Sequence, residues 1–321
     1  MKFIEIMMTY QHIPVLLQEV LQILDPKPGD SFVDATLGGG GYTEALLSRT
    51  APKGKVLAMD LDVDAIQAFK LRIKNQESSK RVIAVHNNFS KVAHVVAEHK
   101  FGPVAGIVAD IGLSSYELDS AGRGISFQKD EPLDMRFDIS GNAPTAAFML
   151  AEYGEQELTS IFKNYGEEKF AKQIARNIVR NRDLHKITRT TDLTAIIADS
   201  IPARLRHRAS DSYRRVFQAL RIAVNAELEN LEKFLPEALG ILPSGGTLAV
   251  VTFHSLEDRI VKQFFVKAAT GCVCPKDFPT CICGRTPGAE ILTKKPVIAG
   301  APEVSQNSRA KSAKLRAIRK L

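Results

Sequence analysis

Four consecutive glycines, Gly38 to Gly41, follow the run Phe32-Val33-Asp34-Ala35-Thr36-Leu37. A strand-to-helix turn without Cβ atoms lets the backbone approach a ligand closely, so this is the expected seat of a nucleotide-like cofactor. Asp60, at the end of the next apolar run, is placed to accept hydrogen bonds from ribose hydroxyls. A dinucleotide and S-adenosylmethionine both fit these two signals. The third glycine of G-x-G-x-x-G would fall at position 43, where Thr43 stands, and this favours the methyl donor. Asp34 points the same way, since methyltransferases carry (D/E)-x-G-x-G here, with Thr36 replacing the first glycine in this chain; Asp34 also fits a purely local cap of backbone groups. Two further groups are expected at the same crevice. Phe89 offers a face for a flat adenine, although a lone Phe equally suits a core, and Asp110-Ile111-Gly112-Leu113-Ser114-Ser115 ends a strand where methyl donor and acceptor should meet.

The elements that must position these residues show as alternating apolar runs and helical spacings, the mark of parallel β/α units. Strands are expected at 31–36, 55–60, 81–86 and 106–110, with helices at 42–48 and 63–74 between them. After Asp110 the rhythm stops, and 118–212 reads as an all-helical insert rich in Glu, Lys, Arg and Ala. From Val216, the residues Phe217, Leu220, Val224, Leu228, Leu231 and Leu235 fall on one helical stripe. A buried strand at 247–253, a helix at 256–267, a strand at 291–297 and an alternating tail at 313–321 complete the pattern. The fold class is therefore α/β, a doubly wound Rossmann-like sheet split by the insert, with one domain formed by 1–117 and 213–321 and the other by 118–212.

A chain of 321 residues exceeds the usual size of a single undivided core, in keeping with two domains. The longest apolar stretches are far too short to span a bilayer, so neither membrane insertion nor secretion is expected. The net charge of +7 is concentrated in three places and favours a polyanionic partner. Lys169, Lys172, Arg176 and Arg180 share a helix face opposite Phe170, Ile174 and Ile178. Arg204, Arg206, Arg208, Arg214 and Arg215 cluster before the return to the sheet, and Arg309, Lys311, Lys314, Arg316, Arg319 and Lys320 crowd the tail. Any one group alone reads equally as a solvated face; together they suit phosphate contacts.

All four cysteines, Cys272, Cys274, Cys281 and Cys283, lie within one short stretch, which leaves the rest of the chain without a disulfide framework and suits a reducing, cytoplasmic compartment. Four thiolates match the ligand number of structural zinc, although C-x-C leaves less slack than C-x2-C. Free or reversibly oxidised thiols fit the spacing equally, so the metal assignment stays open.

Several motifs in one order carry a family resemblance. They are Tyr10-Gln11-His12-Ile13-Pro14-Val15-Leu16, the glycine turn, Asp110 to Ser115, Arg123-Gly124-Ile125-Ser126-Phe127, Pro132-Leu133-Asp134-Met135-Arg136, Tyr165-Gly166-Glu167-Glu168, Phe217-Gln218-Ala219-Leu220-Arg221 and Phe253-His254-Ser255-Leu256-Glu257-Asp258-Arg259. From about residue 10 to its C-terminus the chain resembles the bacterial family that methylates cytosine N4 in small-subunit (16S) ribosomal RNA. The resemblance implies an S-adenosylmethionine-dependent methyltransferase domain, an inserted helical domain for RNA recognition, and small-subunit ribosomal RNA or the small ribosomal subunit as partner, with a homodimer allowed. It implies cofactor contacts at Gly38, Gly40, Gly41, Tyr42, Asp60, Phe89, Asp110 and Glu117. Two positions depart from the family: Glu117 stands where a glutamine is usual, and Tyr42 where His is common. Family members without the four cysteines imply that a metal is not needed for the chemistry.

The N4 amine of cytosine shares its lone pair with the ring and attacks a methyl group poorly, so the site must supply hydrogen-bond acceptors. Asp110, Ser114 and His254 are the expected catalytic residues; His254 equally fits a structural residue ahead of its helix. Rival readings are a nicotinamide-dependent oxidoreductase, against which Thr43 and the motif series stand, a non-catalytic RNA-binding assembly factor, and a methyltransferase acting on DNA.

Overall fold

The computed structural model describes residues 14–112, 122–274 and 282–321, and the chain divides into two compact units, 1–112 with 228–321 and 113–227. The first unit is built on a seven-stranded sheet. Its strands are β1 (Phe32–Asp34), β2 (Val56–Asp60), β3 (Val82–His86), β4 (Gly106–Ile111), β5 (Thr247–Thr252), β6 (Ala289–Ile291) and β7 (Lys314–Lys320), in the order β3-β2-β1-β4-β5-β7-β6. All neighbouring pairs from β3 to β5 are parallel, while β7 runs antiparallel to both β5 and β6.

The central strands are continuous apolar runs because both faces of the sheet are covered. On one face Val33, Leu57, Met59, Ile107 and Leu248 pack with Val92 and Val95 of α4 (Val92–Glu98), Leu231, Phe234 and Leu235 of α10 (Glu227–Ile241), and Val261 and Phe265 of α11 (Ser255–Ala269). On the other, Phe32, Val56, Val108 and Val251 meet Val20 and Leu21 of α1 (Leu17–Leu24) and Leu46 and Leu47 of α2 (Gly41–Arg49). Ala58 and Leu37 meet Ile66, Phe69 and Ile73 of α3 (Val63–Ile73). This is the doubly wound α/β class expected from the sequence.

The strand expected at 291–297 is shorter. β6 ends at Ile291, and Val297 makes only an isolated bridge with Leu315. Pro296 has no N–H to continue a ladder, and the Thr293 side chain substitutes for one rung, its Oγ1 accepting from Ala317 N–H at 2.9 Å.

The second unit is helical: α5 (Ala146–Glu152), α6 (Glu155–Asn164), α7 (Ala171–Arg182), α8 (Thr190–Ser200) and α9 (Ala209–Asn225). Leu150, Phe162, Ile174, Ile178, Leu193, Phe217 and Leu220 form its core. The resemblance-bearing motifs here hold the unit together. Glu168, 3% exposed, pairs with Arg215 at 2.7 Å, Gln218 donates to the Tyr165 carbonyl at 3.2 Å, and Asn225 donates to the Met135 carbonyl at 2.8 Å.

The single stripe read from Phe217 to Leu235 is a mistaken continuity. Ala226 adopts a left-handed φ of 48°, so α9 ends there and α10 is a separate helix. Phe217, Leu220 and Val224 fill the helical core, whereas Leu231 and Leu235 pack on the sheet. The helical unit therefore reaches residue 227, past the expected boundary at 212.

The basic tail is another correction, since much of it is used internally. Arg316, 7% exposed, donates from Nε to Asp258 Oδ1 at 2.6 Å and Lys314 adds a contact at 3.3 Å. Arg319 lies 3.7 Å from Glu290, and Lys320 donates to the Gly240 carbonyl at 2.8 Å. Asp258 thus ties the first turn of α11 to β7. Its partial burial works against ionisation, but the hydrogen bonds and charges of Arg316 and Lys314 hold its carboxyl below the usual range. Replacing Asp258 by Ala leaves a buried guanidinium unpaired and is expected to cost about 3 kcal/mol of stability at neutral pH. A carboxyl with a lowered folded-state pKa stabilises above its unfolded pKa and loses that contribution as pH falls through the folded one. Urea unfolding should therefore show the gap between Asp258→Ala and the parent narrowing in strong acid.

Candidate active site

The carboxyl ends of β1, β2 and β4 each present an aspartate: Asp34, Asp60 and Asp110. Parallel pairing brings these ends side by side, with Asp34 opposite Val108 and Ala58, and Asp110 opposite Val251 of β5. Three acids gathered in a poorly hydrated place must be satisfied by donors or by remaining protonated.

Asp34 is fully satisfied by its neighbours. Its Oδ2 accepts from Thr43 Oγ1 at 2.7 Å and its Oδ1 from Thr36 N–H at 3.2 Å. Burial nonetheless pushes its pKa up to about 7. Thr43, which replaces a glycine of the dinucleotide fingerprint, is thus the donor that makes this buried acid tolerable. Asp34 locks the glycine turn to α2.

Asp60 organises the turn itself. Its Oδ2 accepts from Gly38 N–H at 2.6 Å and its Oδ1 from Asp62 N–H at 2.9 Å. Desolvation raises its pKa to about 6 against these hydrogen bonds, which leaves it mostly ionised at neutral pH. A carboxylate oxygen has two acceptor sites, so each keeps capacity for a hydroxyl.

Gly40 caps α2 with a left-handed φ of 79°, and a Cβ there would collide with the Phe69 ring and the Arg72 guanidinium. Glycine at 40 is thus demanded by the protein's own packing. At Gly38, φ 47°, the space beyond the backbone is open. Arg72 braces the outside of the turn through a 2.6 Å hydrogen bond to the Gly39 carbonyl. The first N–H groups of α2, including those of Gly41 and Tyr42, have no partner within their helix. The Tyr42 side chain turns away into the core, 3% exposed, where its hydroxyl donates to the Val15 carbonyl, leaving only its backbone for a ligand.

Asp110 is different. Its backbone N–H donates to Thr36 Oγ1 at 2.6 Å, which ties the end of β4 to the end of β1. Thr36, in place of a glycine, therefore positions Asp110. Yet Oδ1 of Asp110 is buried with no hydrogen-bond partner among the described residues. Desolvation, then the charges of Asp34 and Glu257, raise its pKa to about 8 despite Arg309. A buried acceptor without a donor, flanked by other acids, is suited to a cation or to an N–H brought by a ligand.

His254 is the N-cap of α11. Its Nδ1 accepts from Glu257 N–H at 3.4 Å, while Glu257, 1% exposed, accepts from the Phe253 and His254 N–H groups at 2.8 and 3.2 Å. The other ring nitrogen, Nε2, lies 3.0 Å from Glu257 Oε1 without the alignment of a hydrogen bond. Both nitrogens face Glu257, so His254 is held as part of a capping box. Glu257 was missed in the sequence although an acid three residues after the cap is the signature of that box.

Phe89 follows β3, half-buried, and meets Phe234 edge to face at 5.3 Å. Ser114, Ser115 and Glu117 lie outside the described residues, as do Tyr10, Gln11, His12, Ile13 and Cys281.

A doubly wound sheet with an antiparallel seventh strand, a glycine turn after β1 and acids closing β1, β2 and β4 defines the class of Rossmann-like methyltransferases. The chain belongs to the MraW methylase family, which it matches over residues 9–321. It is 47% identical to the ribosomal RNA small subunit methyltransferase H of Heliobacterium modesticaldum, over 98% of this chain and 100% of that protein. The proteins of the same name from Symbiobacterium thermophilum and Clostridium botulinum are 46% and 45% identical, each over 98% of this chain and over 98% and 100% of the relative.

An acid with a raised folded-state pKa favours folding at low pH and loses that contribution as pH climbs through the folded value. Asp110→Asn removes the group that titrates near 8. The variant should therefore match the parent's Tm below about pH 4 and exceed it increasingly up to about pH 8, with a constant difference beyond. Thermal unfolding across this range checks the pattern, and a difference independent of pH would rule out a shifted Asp110.

Proposed function

We propose that the protein transfers a methyl group from S-adenosylmethionine to the exocyclic N4 of a specific cytidine in small-subunit (16S) ribosomal RNA, in the cytoplasm. The observation that carries the reading is Asp110, whose buried Oδ1 has no donor among the described residues at the end of β4, where the acceptor base should meet the cofactor. The names of the relatives support the substrate class.

The residues present fit the cofactor. Asp60 would receive the ribose hydroxyls, the backbone of Gly38, Gly40, Gly41 and Tyr42 would line the turn, and the exposed side of Phe89 would lie against adenine. S-adenosylmethionine supplies a methyl already activated by its sulfonium charge, so the protein's task is chiefly to orient the acceptor and manage one proton. Asp110 Oδ1 accepts an N4–H of the cytosine, which draws the nitrogen lone pair out of conjugation, and as a carboxylate it takes the proton released once the N–C bond has formed. Ser114 would be a second acceptor and Glu117 a cofactor contact. His254 would act by holding Glu257 and the end of β5, both close enough to raise the pKa of Asp110 or to flank its strand.

The target base must leave its stack to reach this crevice, so the RNA has to be held beside it. On the helical unit Lys169, Lys172, Arg176 and Arg180 are all exposed, opposite buried Ile174 and Ile178, and Arg204, Arg206, Arg208 and Arg214 are exposed as well. These groups, rather than Arg215 or the largely engaged tail, are the proposed phosphate contacts.

Labelled methyl transfer from S-adenosylmethionine to small ribosomal subunits, free ribosomal RNA and DNA, followed by nucleoside analysis, tests the reading. Label in N4-methylcytidine from a ribosomal substrate supports it; cofactor and RNA binding without transfer would favour an assembly factor. Asp110→Ala should lower kcat by about 10²–10³-fold, whereas His254→Asn, which keeps a capping acceptor, should stay within about tenfold of the parent. The pair Lys172→Ala/Arg176→Ala should raise KM for RNA with little change in kcat, and reduce the salt slope of binding by about 2.

A further inference from the structure

Between α11 and β6 the described residues form no core of their own. Among the described residues of 270–288 none is buried, and Val273 and Ile282 are 57% and 75% exposed. The base of the segment is tied down, with Arg285 donating to the Lys267 carbonyl at 2.6 Å and Gly288 N–H to the Ala268 carbonyl at 3.0 Å. Beyond that base, apolar packing does not hold the two arms together.

Even so, three thiols converge there. The Sγ atoms of Cys272, Cys274 and Cys283 all lie within 4.8 Å of one another, and Cys272 and Cys283 are 3.7 Å apart. Bringing three separate side chains together costs conformational entropy. A tetrahedral ion bound by thiolates at about 2.3 Å sets its sulfurs about 3.8 Å apart, close to the 3.7 Å between Cys272 and Cys283. A thiophilic cation would engage all three described thiols at once. Gly284, directly after Cys283, adopts a left-handed φ of 59°, which turns the chain back immediately behind the sulfur.

We propose that Cys272, Cys274 and Cys283 form a structural zinc site that cross-links the two arms of this segment, outside both hydrophobic cores and separate from the methyltransferase crevice. Cys281 lies outside the described residues; the three described thiols supply three ligands and leave the fourth position of a tetrahedral ion to another donor. Zinc binding displaces the thiol protons, so affinity rises with pH through the thiol range, and no oxidant or reductant takes part.

The test uses the full chain without an affinity tag, reduced and freed of metal under anaerobic conditions, then given Zn²⁺ or Co²⁺ alone. Elemental analysis should find about one zinc per chain after gel filtration. The Co²⁺ form should show the intense visible and thiolate charge-transfer bands of a tetrahedral thiolate site. The Cys272→Ser/Cys283→Ser variant should lose those bands and bind zinc more than about tenfold more weakly, with unchanged far-ultraviolet circular dichroism, because neither residue belongs to a core. Failure of the reduced parent to take up either metal would overturn the proposal, as would undiminished binding by the double variant.

Discussion

The withdrawal of Asp110 from water at the end of β4 is the constraint around which the rest of the site is arranged. A parallel sheet covered on both faces places strand ends where hydration is poor, and three of those ends carry acids. Two are made tolerable from within: Asp34 by Thr36 and Thr43, Asp60 by the backbone of Gly38 and Asp62. Those same bonds shape the glycine turn, so satisfying the acids and building the proposed cofactor seat are one task. Of these three acids, Asp110 alone has a buried oxygen without a hydrogen-bond partner among the described residues, and the neighbouring acids raise its affinity for a proton further. That unspent acceptor is where a ligand's positive charge or N–H gains most.

The same sheet explains why residues remote in sequence bear on the site. β5 arrives only after the helical unit, and it brings Phe253, His254 and Glu257 to the end next to Asp110. The capping box fixes their geometry, and the Asp258–Arg316 pair one turn along fastens α11 to β7. The antiparallel last strand thereby braces the end of the sheet that carries the candidate site, through an arginine that is buried and paired.

Much of this was legible in the sequence, for identifiable reasons. Strands buried on both faces leave uninterrupted apolar runs, so β1 to β5 were placed within about two residues, the usual uncertainty at element ends. The glycine turn and the strand-end acids stood out by residue type. The stripe from Phe217 to Leu235 misled because periodicity reports that a face is buried without saying against what, and Ala226 carries no Gly or Pro signal for the left-handed break. The basic tail misled for a related reason: charge counts do not show that Arg316 faces Asp258 across the sheet edge. The substitutions Thr36 and Thr43 looked like departures from a glycine pattern, and their purpose as partners of Asp110 and Asp34 exists only in three dimensions. Phe89 packs edge to face on Phe234, as the core reading expects, and part of its surface stays open.

The most direct measurement of the central claim is calorimetric titration of S-adenosylmethionine into the protein at neutral pH in buffers of different ionisation enthalpy. If Asp110 is protonated before the cation arrives, the parent should release up to about one more proton on binding than the Asp110→Asn variant. Equal proton release by parent and variant, with unchanged affinity, would show that Asp110 is already ionised or lies apart from the bound cofactor, and would contradict the account.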